Sequence, residues 1–142
     1  MIIEYKTELD VRFHVNTDKG RRWTLIKPFL FSVNGTEFEV PAGFWTDFAS
    51  IPRPLWNLLS PYDIGQGPVP HDYFYFTGCR DKDFADQTLR ACMEHDGIAP
   101  WKRTAVYNAV QWFGGSIWDT YRKQGSPAAQ YARLINRNDL VA

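Results

Sequence analysis

Apolar and polar residues alternate through the first forty positions of the chain. Val11, Phe13 and Val15 sit at every second residue with polar neighbours between them, the period of a strand that buries one face. Asp18-Lys19-Gly20 is a turn signal, and Trp23 and Leu25 resume the alternation beyond it. Phe29, Phe31 and Val33 form a second alternating set, followed by Asn34-Gly35 and then Phe38 and Val40. An Asn-Gly pair between alternating runs is a strong hairpin signal, because both turn residues must take positive φ. The pattern predicts two antiparallel hairpins in one small sheet, ended by Pro41-Ala42-Gly43.

Beyond Gly43 the pattern changes. Residues 44–54 are dense in aromatics and prolines and show no period. Ser50 followed by Pro52 predicts a short helix through Trp56, Leu58 and Leu59, stopped by Pro61. Gly65 and Gly67 mark a loop into a helix that starts near Pro70 and ends at Gly78. From Asp83, Ala85, Leu89, Cys92 and Met93 fall on one stripe, with Asp86 at its edge, and Gly97 stops the helix. Pro100 opens another helix with Ala105, Val106, Ala109, Val110 and Phe113 on one face, ended by Gly114-Gly115. Ile117 and Trp118 form a short apolar cluster, and an amphipathic segment with Ala128, Tyr131, Leu134 and Ile135 follows Gly125-Ser126-Pro127. Strands first and helices second predict an α+β fold: a small N-terminal antiparallel β-hairpin sheet packed on a C-terminal bundle of three to four short helices. A length of 142 residues predicts a single domain, 1–142, with a β-rich part over 1–43 and a mostly helical part over 44–142.

Composition narrows the function classes. Sixteen Lys and Arg cancel sixteen Asp and Glu, so charge offers no argument for nucleic acid or an anionic membrane as partner. The N-terminus lacks a basic region followed by an apolar run, and no stretch approaches the ~20 apolar residues of a transmembrane span. Cys79 and Cys92 read as two thiols in a reducing compartment rather than a disulfide scaffold. Ten Phe, seven Tyr and six Trp exceed what a core of this size must hold; some of Trp45, Trp56, Trp101, Trp112 and Trp118 are candidates for a groove or an assembly interface.

Four polar features carry candidate chemistry. In His71-Asp72-x-x-Tyr75, His71 and Tyr75 share a helix face and Asp72 points about 100° away. A helix N-terminus favours neutral imidazole and an anionic Asp72, so His71 could accept a proton while Asp72 holds a cation. The alternative is a polar helix start. Asp86, on the next helix, could accept the His71 Nδ1–H and fix its tautomer, or be a first-turn acid favoured by the helix dipole. Asp47, in the loop Thr46-Asp47-Phe48-Ala49-Ser50, is a turn-forming residue, a second carboxylate for a metal, or an orienter in a loop lining the site; that loop or a cation is the expected partner of Asp72. Gly65-Gln66-Gly67 could offer carbonyls to a cation or N–H groups to an anion. His14 and His95 read as surface or structural.

The stretch Val40-Pro41-Ala42-Gly43-Phe44-x-Thr46-Asp47-Phe48-Ala49-Ser50-Ile51-Pro52-Arg53, then His71-Asp72-x-x-Tyr75, then Ala85-Asp86, resembles the phage-associated domain-of-unknown-function family 1353. The resemblance covers roughly Gly43 to Gly114 and implies a phage or prophage gene, with no agreed activity. A second, local resemblance is to the catalytic helices of phospholipase A2. It implies ester hydrolysis in which His71 activates water, Asp72 binds Ca²⁺ and Asp86 orients His71, with Tyr75 at the corresponding position. That family's glycine-rich calcium loop has no clear counterpart, since Gly65-Gln66-Gly67 lies too close to His71.

Two functions are chiefly expected, a small cytosolic inhibitor of a host factor being the third. One is a phage-encoded hydrolase with catalytic His71, Asp86 and Tyr75 and with Asp72 and Asp47 as metal residues, Ca²⁺ being the candidate cofactor. The other is a non-catalytic virion or tail-assembly protein in which the same motif is a buried polar lock. Expected partners are phage structural proteins, or a second copy through exposed aromatics, without nucleic acid. The expected location is the cytoplasm of the bacterial host or the virion.

Overall fold

The computed structural model of the protein describes residues 1–17, 20–46 and 64–124. Strands β1 (Ile3–Tyr5), β2 (Val11–Thr17), β3 (Gly20–Leu25), β4 (Phe29–Val33), β5 (Thr36–Val40) and β6 (Trp45–Thr46) precede helices α1 (Pro68–Thr77), α2 (Lys82–His95) and α3 (Pro100–Lys123). The fold is α+β, as expected. The short helix placed after Ser50, the Asp47 loop beyond Thr46 and the segment after Gly125 lie outside the described residues.

Both hairpins form, as antiparallel β2–β3 and β4–β5. Asn34 and Gly35 have φ of 51° and 84°, the left-handed pair that a tight hairpin turn demands. The expectation of one sheet is corrected to two, ordered β1-β4-β5 and β2-β3-β6. The edges that would have joined the hairpins are already filled. β1 pairs with β4, Ile3 opposite Val33, and β6 pairs with β3, Thr46 opposite Trp23.

The alternation in β4 and β5 buries Phe29, Phe31, Val33, Phe38 and Val40. Phe74 of α1 meets Phe31 and Phe38 edge-on, with ring centroids 5.8 Å and 4.9 Å away, a favoured aromatic geometry. This contact sets α1 against the first sheet. A second apolar cluster, Ile64, Leu89, Met93, Val106 and Val110, joins α2 to α3.

Local signals explain the helix ends. α1 starts at Pro68, two residues before the expected Pro70, with proline in its first turn where no N–H is needed. It ends at Gly78, whose φ is 62° and whose N–H returns to the Phe74 carbonyl. The Asp81 side chain caps α2 by accepting from the Phe84 N–H at 2.7 Å. α3 does not stop at Gly114-Gly115 but continues to Lys123, taking Ile117 and Trp118 with it. A glycine is a helix stop only when its backbone turns left-handed, and neither of these has positive φ. No helix of the described residues is long and apolar enough to cross a membrane.

Candidate functional site

Asp86 is the centre of the site and is completely buried. Its position on the inner edge of α2 turns both carboxylate oxygens toward neighbouring helices. Oδ1 accepts from His71 Nε2 at 2.8 Å and from the Tyr75 hydroxyl at 2.8 Å. Oδ2 accepts from Lys82 Nζ at 2.7 Å and from Gln111 Nε2 at 2.6 Å. Lys82 Nζ also donates to the Val110 carbonyl at 3.2 Å. Donors therefore arrive from α1, α2 and α3.

His71 and Tyr75, one turn apart on α1, share a face as their spacing requires; their rings lie 4.2 Å apart. The two residues and Asp86 thus come together as predicted, with one correction. Asp86 faces Nε2, not Nδ1. The ring lies between two carboxylates, with Nδ1 turned toward Asp72 of its own helix and Nε2 toward Asp86 of α2. Only the Nε2 contact, at 2.8 Å, is of hydrogen-bond length, so neutral His71 is the Nε2–H tautomer and its lone pair is on Nδ1.

The second correction concerns Asp72. Its carboxylate was expected to diverge from His71, yet Oδ1 lies 3.5 Å from Nδ1. The 100° separation applies to the Cα–Cβ bonds; the side-chain tips extend far enough to swing together. At that distance Asp72 supplies charge rather than a good hydrogen bond. Its other oxygen accepts from Thr46 Oγ1 at 2.5 Å, so β6 of the second sheet is tied to α1. Among the described residues His71 Nδ1 has no hydrogen-bond partner, although the ring is only 2% exposed.

These contacts fix the charges. Burial pushes His71 toward its neutral form, but Asp72 and Asp86 outweigh it and hold the imidazolium above its ordinary value of 6.5. Burial would likewise favour the neutral form of Asp86, and the donors from His71, Lys82 and Tyr75 reverse it, keeping the carboxyl below 3.8. Burial and the Asp86 charge push the Tyr75 phenol well up, so Tyr75 acts as a hydrogen-bond donor.

Calcium takes six to eight oxygen ligands. The described residues bring two carboxylates, Asp72, whose oxygens face His71 and Thr46, and Asp86, whose oxygens accept four donors, and hold no cluster of three metal-ligating side chains. Among the described residues that donor set is incomplete as a calcium site. Asp47, the other expected ligand, lies outside the described residues.

Away from this centre, the Gly65-Gln66-Gly67 loop serves an internal anion: the Gln66 N–H donates to Asp96 Oδ2 at 2.8 Å. His14 bonds Thr24 Oγ1 at 2.8 Å and His95 faces Asp96 at 3.2 Å, both structural. Trp101 and Trp112 are exposed, whereas Trp118 packs on the core.

Lys82 and Gln111 were not foreseen, whereas Thr46 belongs to the loop expected to partner Asp72 and does so. Lys82 was legible, being four residues before Asp86 on a helix, a pairing distance. Gln111 arrives only through tertiary packing.

A family model described as "Protein of unknown function (DUF1353)" matches residues 23–110. A curated relative, "Uncharacterized protein y4jT" from Sinorhizobium fredii (strain NBRC 101917 / NGR234), is 33% identical over 104 residues, which make up 70% of this chain and 31% of that protein. The chain thus spans less than a third of that relative's length. No solved structure matches the chain.

Proposed function

The chain belongs to the DUF1353 family, and we propose that its His71–Asp86 pair is a hydrolytic dyad that cleaves an ester, in a phage or prophage setting. The observation that carries this reading is the second ring nitrogen, which faces Asp72 at 3.5 Å without a hydrogen bond. Asp86 holds Nε2, and Nδ1 is a buried polar atom with no hydrogen-bond partner among the described residues. Buried polar groups are nearly always satisfied, and an exception calls for a catalytic role or a bound water. In this reading Nδ1 accepts a proton from water as the water oxygen attacks the ester carbonyl. Nδ1 then returns the proton to the departing alkoxide as the C–O bond breaks. Asp86 keeps the tautomer and steadies the transient imidazolium, and Tyr75 steadies Asp86.

The similarity of His71-Asp72-x-x-Tyr75 and Asp86 to the phospholipase A2 helices makes a phospholipid the first substrate to try. Hydrolysis of p-nitrophenyl esters and of phospholipid vesicles would be followed for wild type, His71→Ala and Asp72→Asn, with and without Ca²⁺. His71→Ala is expected to lose about 10²–10⁴-fold in rate while keeping its circular dichroism. A Ca²⁺ requirement lost in Asp72→Asn would assign the cation to Asp72. Wild type without activity on either ester class would refute the reading.

A second reading is favoured by the four donors on Asp86 and by the burial of His71. Here the motif is a polar lock between three helices in a virion or tail-assembly component, and the exposed Trp101, Trp112 and Phe113 face a neighbour in the assembly. His71→Ala would then unfold the protein rather than silence it.

A further inference from the structure

Helix α3 meets the site with four residues on one stripe. Gln111, Gly114, Trp118 and Arg122 are spaced three, four and four residues apart, which keeps them within one face of an α-helix. Each contacts Asp86 or Tyr75. Gln111 donates to Asp86 Oδ2 at 2.6 Å. Trp118 stands edge-on against the Tyr75 ring, with centroids 5.2 Å apart. Arg122 donates to the Tyr75 carbonyl and, at 3.1 Å, to that of Phe76, while its guanidinium lies 4.3 Å over the Trp118 ring. Gly114 is where the Tyr75 hydroxyl passes: a Cβ there would lie 2.3 Å from the hydroxyl oxygen. Neighbouring Gly115 has nothing within 4 Å of such an atom, so the close approach belongs to Gly114 alone of the pair.

We propose that this stripe of α3 is a positioning device that seats the Tyr75 hydroxyl on Asp86, and that Gly114 is the residue that makes the seat open. Glycine in a helix interior is unfavourable relative to alanine, so helix propensity alone would favour a side chain at 114. The space is instead used by the phenol. The hydroxyl reaches Asp86 Oδ1 only if α3 passes this close without a Cβ. Gln111 then fixes the other oxygen of the same carboxylate from the same helix face, so α3 sets both the position and the rotation of Asp86. Gln111, Gly114, Trp118 and Arg122 all lie beyond the family-matched residues, which end at 110. The consequence for rate rests on the hydrolytic reading above; the seating itself does not.

The test is a double-mutant cycle on Gly114→Ala and Tyr75→Phe, read by thermal unfolding and by ester hydrolysis. In the wild-type background Gly114→Ala forces the phenol off Asp86. It is expected to lower Tm by about 5 °C and kcat by roughly tenfold with KM unchanged. In the Tyr75→Phe background the offending oxygen is gone and the nearest ring carbon would be 3.2 Å away. There the same change is expected to leave Tm within about 1 °C and to cost no further rate. Equal losses of stability in the two backgrounds, or a Gly114→Ala protein indistinguishable from wild type, would overturn the proposal. If wild type hydrolyses nothing, the hydrolytic reading fails, and the Tm cycle still decides whether Gly114 seats Tyr75.

Discussion

His71 and Asp86 pull on the pH dependence of stability from opposite ends. The His71 pKa is raised in the folded chain, so the stability it contributes is complete below about 6.5, its ordinary unfolded value, and is lost as pH rises through the folded pKa. The Asp86 pKa is lowered, so its contribution is present above about 3.9 and is lost as pH falls through the folded value. Urea unfolding across pH should therefore show a plateau in mildly acidic solution that falls off on both sides. His71→Asn should flatten the alkaline limb. Activity moves the other way: the base form is needed, so kcat/KM should rise with pH along a limb centred above 6.5, and a limb centred below it would refute the assignment of His71 as base. Asp86→Ala leaves four donors facing a void and should cost about 3–5 kcal/mol, measured by urea unfolding. At this scale the sequence was half legible. Spacing alone put His71, Tyr75 and Asp86 together. It could not say which imidazole nitrogen would reach α2, because that depends on how the ring turns between Asp72 and Asp86.

Elements were legible where the signal is local. Asn34-Gly35 marked its hairpin because the backbone there has to turn left-handed, and Gly78 marked the end of α1 for the same reason. Gly114-Gly115 misled because the reason for glycine there was not conformational: one residue makes room for another helix's side chain. The two sheets were read as one because β6 is only two residues long, too short to show a period, yet it closes the edge of β3. The end of α1 also rests on α3. Gly78 has positive φ, and a Cβ there would lie within 1.8 Å of Arg122 Nη1. Gly78→Ala should therefore destabilise by at least about 1–2 kcal/mol, seen as a lower Tm. Arg122→Ala should remove the steric part of that cost while exposing the α1 carbonyls.

At the scale of the molecule, the motif binds together parts far apart in sequence. Thr46 of the second sheet holds Asp72, α1 and α2 share Asp86, and α3 closes over both. None of these contacts could be read from a hydrophobic pattern, since each depends on which faces meet. The first strand is drawn in as well. The Tyr5 hydroxyl donates to Asp96 Oδ2 at 3.1 Å, the oxygen that also accepts from the Gln66 amide, and Ile3 is buried against the sheet. Deleting residues 1–5 should accordingly lower stability by about 2–5 kcal/mol through the lost burial of Ile3 alone, measured by urea unfolding.

The shared oxygen of Asp96 also has a consequence in time. Its two donors come from residues 5 and 66, on opposite sides of most of the β-region. During synthesis the first strand leaves the ribosome with its hydroxyl anchor still ninety-one residues away. Closing so long a loop comes late and slowly. The hairpins can close first, while β1 lacks its Tyr5 anchor until the end of α2 has emerged.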